Sequence, residues 1–222
     1  EEAVSAFLKV READPKSSTA AFFLGMAYKQ LMDYEGAEGP LKDAVTLTPK
    51  IKEALIELIE VDLRLGKLEE AKEWIAVAEQ EGIKPADTAF LKGLVFTQEG
   101  KNQEAAASFA KAKSLDPEIA QASDIQIALS HLRESELKGA KEAFESAITV
   151  DPQTDLAGFA RQYLARVDEA ISAQRPFHFT ASLFGQYDDN MVLKPTDESL
   201  ATGVMDEGSP VLNSSFRVTY SP

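Results

Sequence analysis

The sequence predicts an all-α solenoid of antiparallel helix pairs, followed by a C-terminal β-hairpin. Three observations carry that reading. First, Ala3, Ala37, Ala71, Ala105 and Ala140 fall 34, 34, 34 and 35 residues apart. Second, other columns keep the same register: Phe7, Leu41, Ile75, Phe109 and Phe144 follow the alanines. Val10, Ala44, Ala78, Ala112 and Ala147 come next, with breakers at Pro15, Pro49, Pro85, Pro117 and Pro152. Third, at Gln174-Arg175-Pro176 the apolar period changes from that of a helix to that of a strand.

The stretch Ala86 to Pro117 shows what one unit contains. Ala89, Gly93 and Phe96 stripe a first helix closed by Gly100, while Ala105, Phe109 and Ala112 stripe a second ended by Asp116-Pro117. Gly93 and Ala105 stand where two helices must approach closely, and Phe96 and Phe109 are large enough to fill the space beside them. This pattern resembles the tetratricopeptide repeat (TPR) family, with its period of about 34 residues. The resemblance covers residues 1–152 and implies a right-handed solenoid that binds other proteins.

Taken in order, residues 1–14 form the second helix of a first repeat, which is expected to find its first-helix partner upstream. Four repeats start near 18, 52, 86 and 121. Pro40 lies inside a helix, where its missing amide should bend it. In the third repeat Ile59 replaces the usual glycine and Asp62 the usual aromatic, so that hairpin is expected to be looser or shifted, and Glu81-Gly82-Ile83 displaces its breaker. His131 takes the place of Tyr28 and Phe96 and reads as a half-buried packing ring. A metal site there would need a second ligand, and His178 is the only other histidine. Residues 153–174 read as a capping helix with Phe159, Tyr163, Leu164, Val167 and Ile171 on one face.

Residues 175–222 read as a β-hairpin. Phe177, Phe179, Ala181, Leu183, Gly185 and Tyr187 alternate with more polar neighbours, as do Leu212, Ser214, Phe216, Val218 and Tyr220. The acidic loop between holds Asp188, Asp189, Asp197, Glu198, Asp206 and Glu207. It lacks the spaced ligands of a calcium loop, although Asp188, Asp189 and Asn190 offer hard oxygens. Two strands do not stand alone in water, and these carry little charge. The stretch FTASLFGQYDDNMVLKP is similar to the barrel entry of outer-membrane proteins with periplasmic TPRs, of the surface lipoprotein assembly modifier and exopolysaccharide-export type. That resemblance implies the first strands of a truncated β-barrel, a chain continuing past Pro222, an address in the periplasm and outer membrane of a double-membraned bacterium, and a role in export.

Composition excludes several functions. There is no cysteine, so disulfides and thiolate metal sites are ruled out. A formal net charge of −14 opposes nucleic-acid binding. No phosphate-binding glycine loop, His-Glu metal motif or serine with a neighbouring base is present, so neither an enzyme nor a cofactor or metal site is expected. There is no signal peptide and no apolar run long enough for a membrane helix, and the chain starts inside a helix at Glu1, so a further N-terminal segment is expected.

In the TPR family, ligands lie on the concave face of the first helices. The resemblance puts there Phe22, Ile56, Phe90 and Ile125, then Met26, Glu60, Leu94 and Leu129, edged by Lys29, Arg64 and Arg133. The expected guest is an extended or helical protein segment. The basic and asparagine clamp for a terminal carboxylate is absent. The alternative reading is a soluble adaptor with no membrane part.

Overall fold

The computed structural model describes residues 1–174, 177–188 and 209–220. Two compact units are present, Glu1–Ala170 and Ile171–Pro222.

The first unit is built of helices joined by short turns. In chain order the helices are α1 (Glu2–Ala13), α2 (Ser18–Gln30), α3 (Tyr34–Thr46), α4 (Ala54–Leu65) and α5 (Leu68–Glu81). They continue with α6 (Pro85–Gln98), α7 (Asn102–Leu115), α8 (Ala120–Arg133), α9 (Leu137–Val150) and α10 (Asp155–Ala173). Pro117–Ile119 forms a single 3-10 turn before α8. The pairs α2–α3, α4–α5, α6–α7 and α8–α9 pack side by side, and each pair also packs on the next. No described helix is long and apolar enough to cross a membrane.

One turn, used four times, sets the pairing. Met32, Gly66, Gly100 and Ser135 occupy the same place in successive repeats, all with positive φ, at 59°, 72°, 75° and 61°. In each, the next residue's amide donates back across the turn: Asp33 to the Tyr28 carbonyl, Lys67 to Asp62, Lys101 to Phe96 and Glu136 to His131, at 2.8–3.0 Å. The last carbonyls of the first helix are thereby satisfied. Glycine adopts this left-handed conformation without strain, whereas methionine and serine do not. The start of a helix is fixed by side chains where they are available: the Ser17 hydroxyl accepts from the Ala20 amide, and the Asp33 carboxylate from the Gly36 amide.

Packing follows the columns read from the sequence. Ala37, Ala71, Ala105 and Ala140 are fully buried, as are Ala44, Ala78, Ala112 and Ala147. Leu41, Phe109 and Phe144 have no exposure at all. At Gly93 a methyl group would meet the Phe109 ring at 2.6 Å, and at Gly25 it would meet Leu41 at 2.6 Å. The ring that the small residue admits is therefore Phe109. Phe96, read as its companion filler, is instead half-buried, with the Lys101 ammonium 5.8 Å above it. In the third repeat both facing residues are isoleucines, Ile59 and Ile75, and α4 and α5 approach over a shorter stretch than the other pairs.

The apolar face of α1 has α2 for cover and is partly bare: Ala3 is exposed and Val10 is 47% exposed, while Phe7 is half-buried and stacks on Phe23 at 5.6 Å. The breaks fall as the prolines predict: α7 ends at Leu115 with Asp116 as its cap, and Pro85 and Pro117 then open the next helical turns, where proline's fixed φ suits the first position. Pro40 is accommodated within α3.

Polar contacts tie repeat to repeat. The Lys113 ammonium lies 2.7 Å from both oxygens of the buried Asp124 carboxylate and 3.0 Å from the Ser146 hydroxyl, so α7, α8 and α9 share one network. The Gln121 amide donates to the carbonyls of Ala147 and Asp151. Helix α10 meets α9 through Phe144 and Tyr163, with ring centres 5.6 Å apart, and through Lys141 and Asp168.

In the second unit, β1 (Phe177–Asp188) and β2 (Ser209–Tyr220) pair antiparallel, in a register running from Phe177 opposite Tyr220 to Asp188 opposite Ser209. The connecting acidic stretch, with Asp189, Asn190, Asp197, Glu198, Asp206 and Glu207, lies outside the described residues.

Candidate functional site

A groove of about 560 Å³ runs along the first helices of the third and fourth repeats. Ile56, Glu60, Leu63 and Arg64 of α4 form one wall. Opposite stands α6, from Asp87 at its first turn through Phe90, Leu91 and Leu94 to Thr97 and Gln98 at its last. Ile119 and Ala122 close the third side.

The two walls run in the same direction. The Gln98 amide reaches the Leu63 carbonyl at 3.4 Å, which places the C-terminal ends of α4 and α6 together. Asp87 and Ile119 consequently lie at one end of the groove, and Arg64, Thr97 and Gln98 at the other. The floor is apolar because inward positions recur every three to four residues on each helix.

Of the residues the sequence singles out, Ile56, Glu60, Arg64, Phe90 and Leu94 line this groove together. The others do not. Phe22 and Met26 are half-buried on α2, where Phe22 tilts against Phe23 at 5.4 Å. Ile125 is 4% exposed and does not line this hollow, which α8 meets through Ala122, one repeat on from Asp87. Leu129 is half-buried and Arg133 exposed, both outside the groove. Phe90 has two attachments, since its ring also meets the Phe109 ring edge-on at 5.1 Å.

Leu63, Asp87, Leu91, Thr97, Gln98, Ile119 and Ala122 line the groove without having been singled out. For Leu63 with Thr97, and for Arg64 with Gln98, the signal was available: each pair is separated by the repeat period. Ile119 sits on the 3-10 turn, where helical periodicity carries no information.

The electrostatics of the rim are uneven. The Lys29 ammonium bridges Glu57 at 2.5 Å and Glu60 at 2.6 Å, so Glu60 is already compensated. Partial burial opposes the lysine's charge, but the two carboxylates outweigh it, and its pKa is raised. Arg64 and Asp87 have no ion pair or side-chain hydrogen bond among the described residues. The Thr97 hydroxyl is buried without a partner.

Elsewhere, His131 is half-buried against Gly139, with Nδ1 2.7 Å from a Glu136 carboxylate oxygen. Among the described residues no cluster of three histidine, aspartate or glutamate side chains is arranged to hold a metal ion.

Paired helices in a row, one turn repeated, and a groove on the first helices define a helix-pair repeat solenoid of TPR type. The chain belongs to the family described as the TT21 fifth ARM repeats domain, whose model matches residues 18–132. Each unit here carries two helices. Similar solved structures include MamA, at 23% identity over 68% of this chain and 87% of that one, with a TM-score of 0.61. YrrB, titled a TPR protein with an unusual peptide-binding site, matches at 21% identity over 72% and 81%, TM-score 0.59. TTC0263, a thermophilic TPR protein of Thermus thermophilus, matches at 22% over 76% and 89%, TM-score 0.58. These likenesses concern the fold. No curated protein matches the chain.

Proposed function

We propose that the chain is a protein-docking scaffold whose groove between α4 and α6 receives a segment of another protein. The observation that carries this is the apolar hollow of about 560 Å³ on the first helices, whose lining includes Arg64 and Asp87, neither ion-paired among the described residues. YrrB, of similar fold, is titled as having a peptide-binding site. The role is one of holding, without catalysis.

The test is peptide selection. A random-peptide display library panned on the 222-residue chain should yield binders that Leu94→Glu with Ala122→Glu abolishes. Both positions are half-buried, so a carboxylate there is tolerated and far-UV circular dichroism should be unchanged. Phe90→Glu and Ile125→Glu are unsuitable, because both side chains also support the core. Selected binders indifferent to the double variant would refute the groove.

We further propose that the scaffold is periplasmic and that β1 and β2 are the first strands of an outer-membrane barrel, so that the repeats hold a client for export or surface assembly. Supporting this are the twelve-residue length of each strand, their alternating sequence and the exposed Phe216. Fractionation of the native protein from its source cells tests it. Recovery in a soluble fraction with no detergent requirement would favour the adaptor reading.

A further inference from the structure

At two positions of its second helix the third repeat departs from every other copy. Where the others carry Ala6, Pro40, Ser108 and Ala143 it has Trp74, the single tryptophan of the chain. Where they carry Lys9, Asp43, Lys111 and Ser146 it has Val77. The pairs α2–α3, α6–α7 and α8–α9 form with small or polar residues at these places, so helix pairing does not require large apolar ones there.

Trp74 and Val77 are half-buried and help to line a hollow of about 250 Å³ beside the second helices α3 and α5, which shares no lining residue with the α4–α6 groove. Its apolar walls are Val45, Ile51, Leu55, Trp74, Val77 and Ile83. Val45 and Trp74 each pack against two core clusters, one holding Leu41 and Leu58 and the other Ile59 and Ile75, so the hollow stands at the seam between them. The backbone holds two of the walls. The Ile51 amide donates to the Ala44 carbonyl and the Ile83 amide to the Ala78 carbonyl, both at 2.9 Å, and Gly82, at φ 64°, turns the chain so that Ile83 comes back on α5. The displaced breaker Glu81-Gly82-Ile83 thereby supplies part of the lining.

One charge here is uncompensated. Lys50, Lys52, Thr46 and Glu81 complete the lining. The Lys52 ammonium lies 3.2 Å from the Glu81 carboxylate, so these two offset one another. Lys50 is exposed and has no ion pair among the described residues, on a chain whose formal net charge is −14.

We propose that this hollow is a binding site for a small organic acid bearing one ring-sized apolar group, with the ring against Trp74 and the carboxylate at Lys50. Size limits the guest, since about 250 Å³ takes a single ring and its linker and is less than a drug-sized ligand fills. An aromatic ring beside an indole gains more than its buried area alone gives. Lys50 selects the sign of the charge: an anion finds a free partner there, whereas an ammonium group would have to compete with Lys52 for Glu81. The inference goes beyond the docking role and does not rest on it.

Trp74, as the only tryptophan, reports on its own site. The 222-residue chain is titrated with phenylpropionate and with the neutral phenylpropionamide, following tryptophan emission excited where the phenyl ring does not absorb, and calorimetry repeats the measurement. A saturable change in the millimolar range is expected for the acid, with the amide about two- to fivefold weaker, as suits one exposed ion pair. Lys50→Gln should bring the acid down to the affinity of the amide. Val77→Asp, which copies what the second repeat carries at Asp43, should abolish saturation while far-UV circular dichroism is unchanged. Leu94→Glu with Ala122→Glu should leave the titration as it is, so this site and the groove fail separately. No saturation, equal affinity for acid and amide, or full affinity in Lys50→Gln would overturn the inference, as would binding that survives in folded Val77→Asp. Should Val77→Asp lose helicity, Lys50→Gln decides.

Discussion

Asp62 occupies the column filled elsewhere by Tyr28, Phe96 and His131, and it is 1% exposed with neither carboxylate oxygen hydrogen-bonded. Burial raises its pKa from 3.8 to about 6. Glu38 and Glu70 push the same way, and Lys67 and Lys42 oppose them. The sign of the pH dependence follows directly. Because the folded pKa lies above the unfolded one, the native state binds more protons between 3.8 and about 6, so stability falls as pH rises through that window and is level above it. A shift from 3.8 to about 6 corresponds to about 3 kcal/mol at about 1.36 kcal/mol per unit, an upper figure. Asp62→Asn removes the charge at constant shape but keeps an unsatisfied amide, so a gain of about 1–2 kcal/mol is expected above the window. The assay is urea denaturation of both proteins from below pH 3.8 to above pH 6, reading the difference between them so that other carboxylates cancel. Near the lower limit the two should converge. A variant less stable than the parent above pH 6, or a difference independent of pH, would show that the carboxylate is satisfied in solution and refute the reasoning.

Two further predictions concern the repeat geometry. Gly93→Ala puts a methyl group 2.6 Å from the fully buried Phe109 ring, so despite a better helix propensity it should destabilise by about 1–3 kcal/mol, read as a lowered thermal midpoint. Met32→Gly and Ser135→Gly relieve side chains held at φ of 59° and 61°, and each should stabilise by about 0.5–1 kcal/mol in urea denaturation, whereas Gly66→Ala and Gly100→Ala should destabilise.

The solenoid was legible because its determinants are local and repeated. A column such as Ala37, Ala71, Ala105 and Ala140 requires only that two helices touch at one point per unit, and the period displays that requirement several times over. The turn at Met32 and Ser135 was hidden, since a side chain in a left-handed conformation looks like any other loop residue until its dihedral is known. The groove was half legible. Ile56, Glu60, Arg64, Phe90 and Leu94 followed from counting along first helices, but the same count put Ile125 in the groove. Ile125 stands one repeat on from Phe90 but lies outside the hollow, whose α8 side is reached only by Ala122, one repeat on from Asp87. Periodicity shows which residues share a face along the row, not how far along that row a hollow extends.

The departures from the period have physical consequences. The third repeat has Ile59 at the glycine position and Asp62 at the aromatic one, and there the helix pair packs less extensively than the others and holds an ionisable group without hydrogen-bond partners. The groove wall formed by Ile56, Glu60, Leu63 and Arg64 is borne by this same helix α4. A solenoid buries surface mainly between neighbours, so the weakest pair governs how far adjacent first helices separate. The α4 wall of the groove can therefore adjust to a guest at lower cost than the α6 wall, where Gly93 locks against Phe109. Asp62→Phe, which restores the aromatic column, should accordingly stiffen α4, slow its amide exchange and make the selected peptides discriminate more sharply among apolar side chains. Unchanged exchange in α4 would show that the rest of the α4–α5 contact, not Asp62, sets the compliance of the wall.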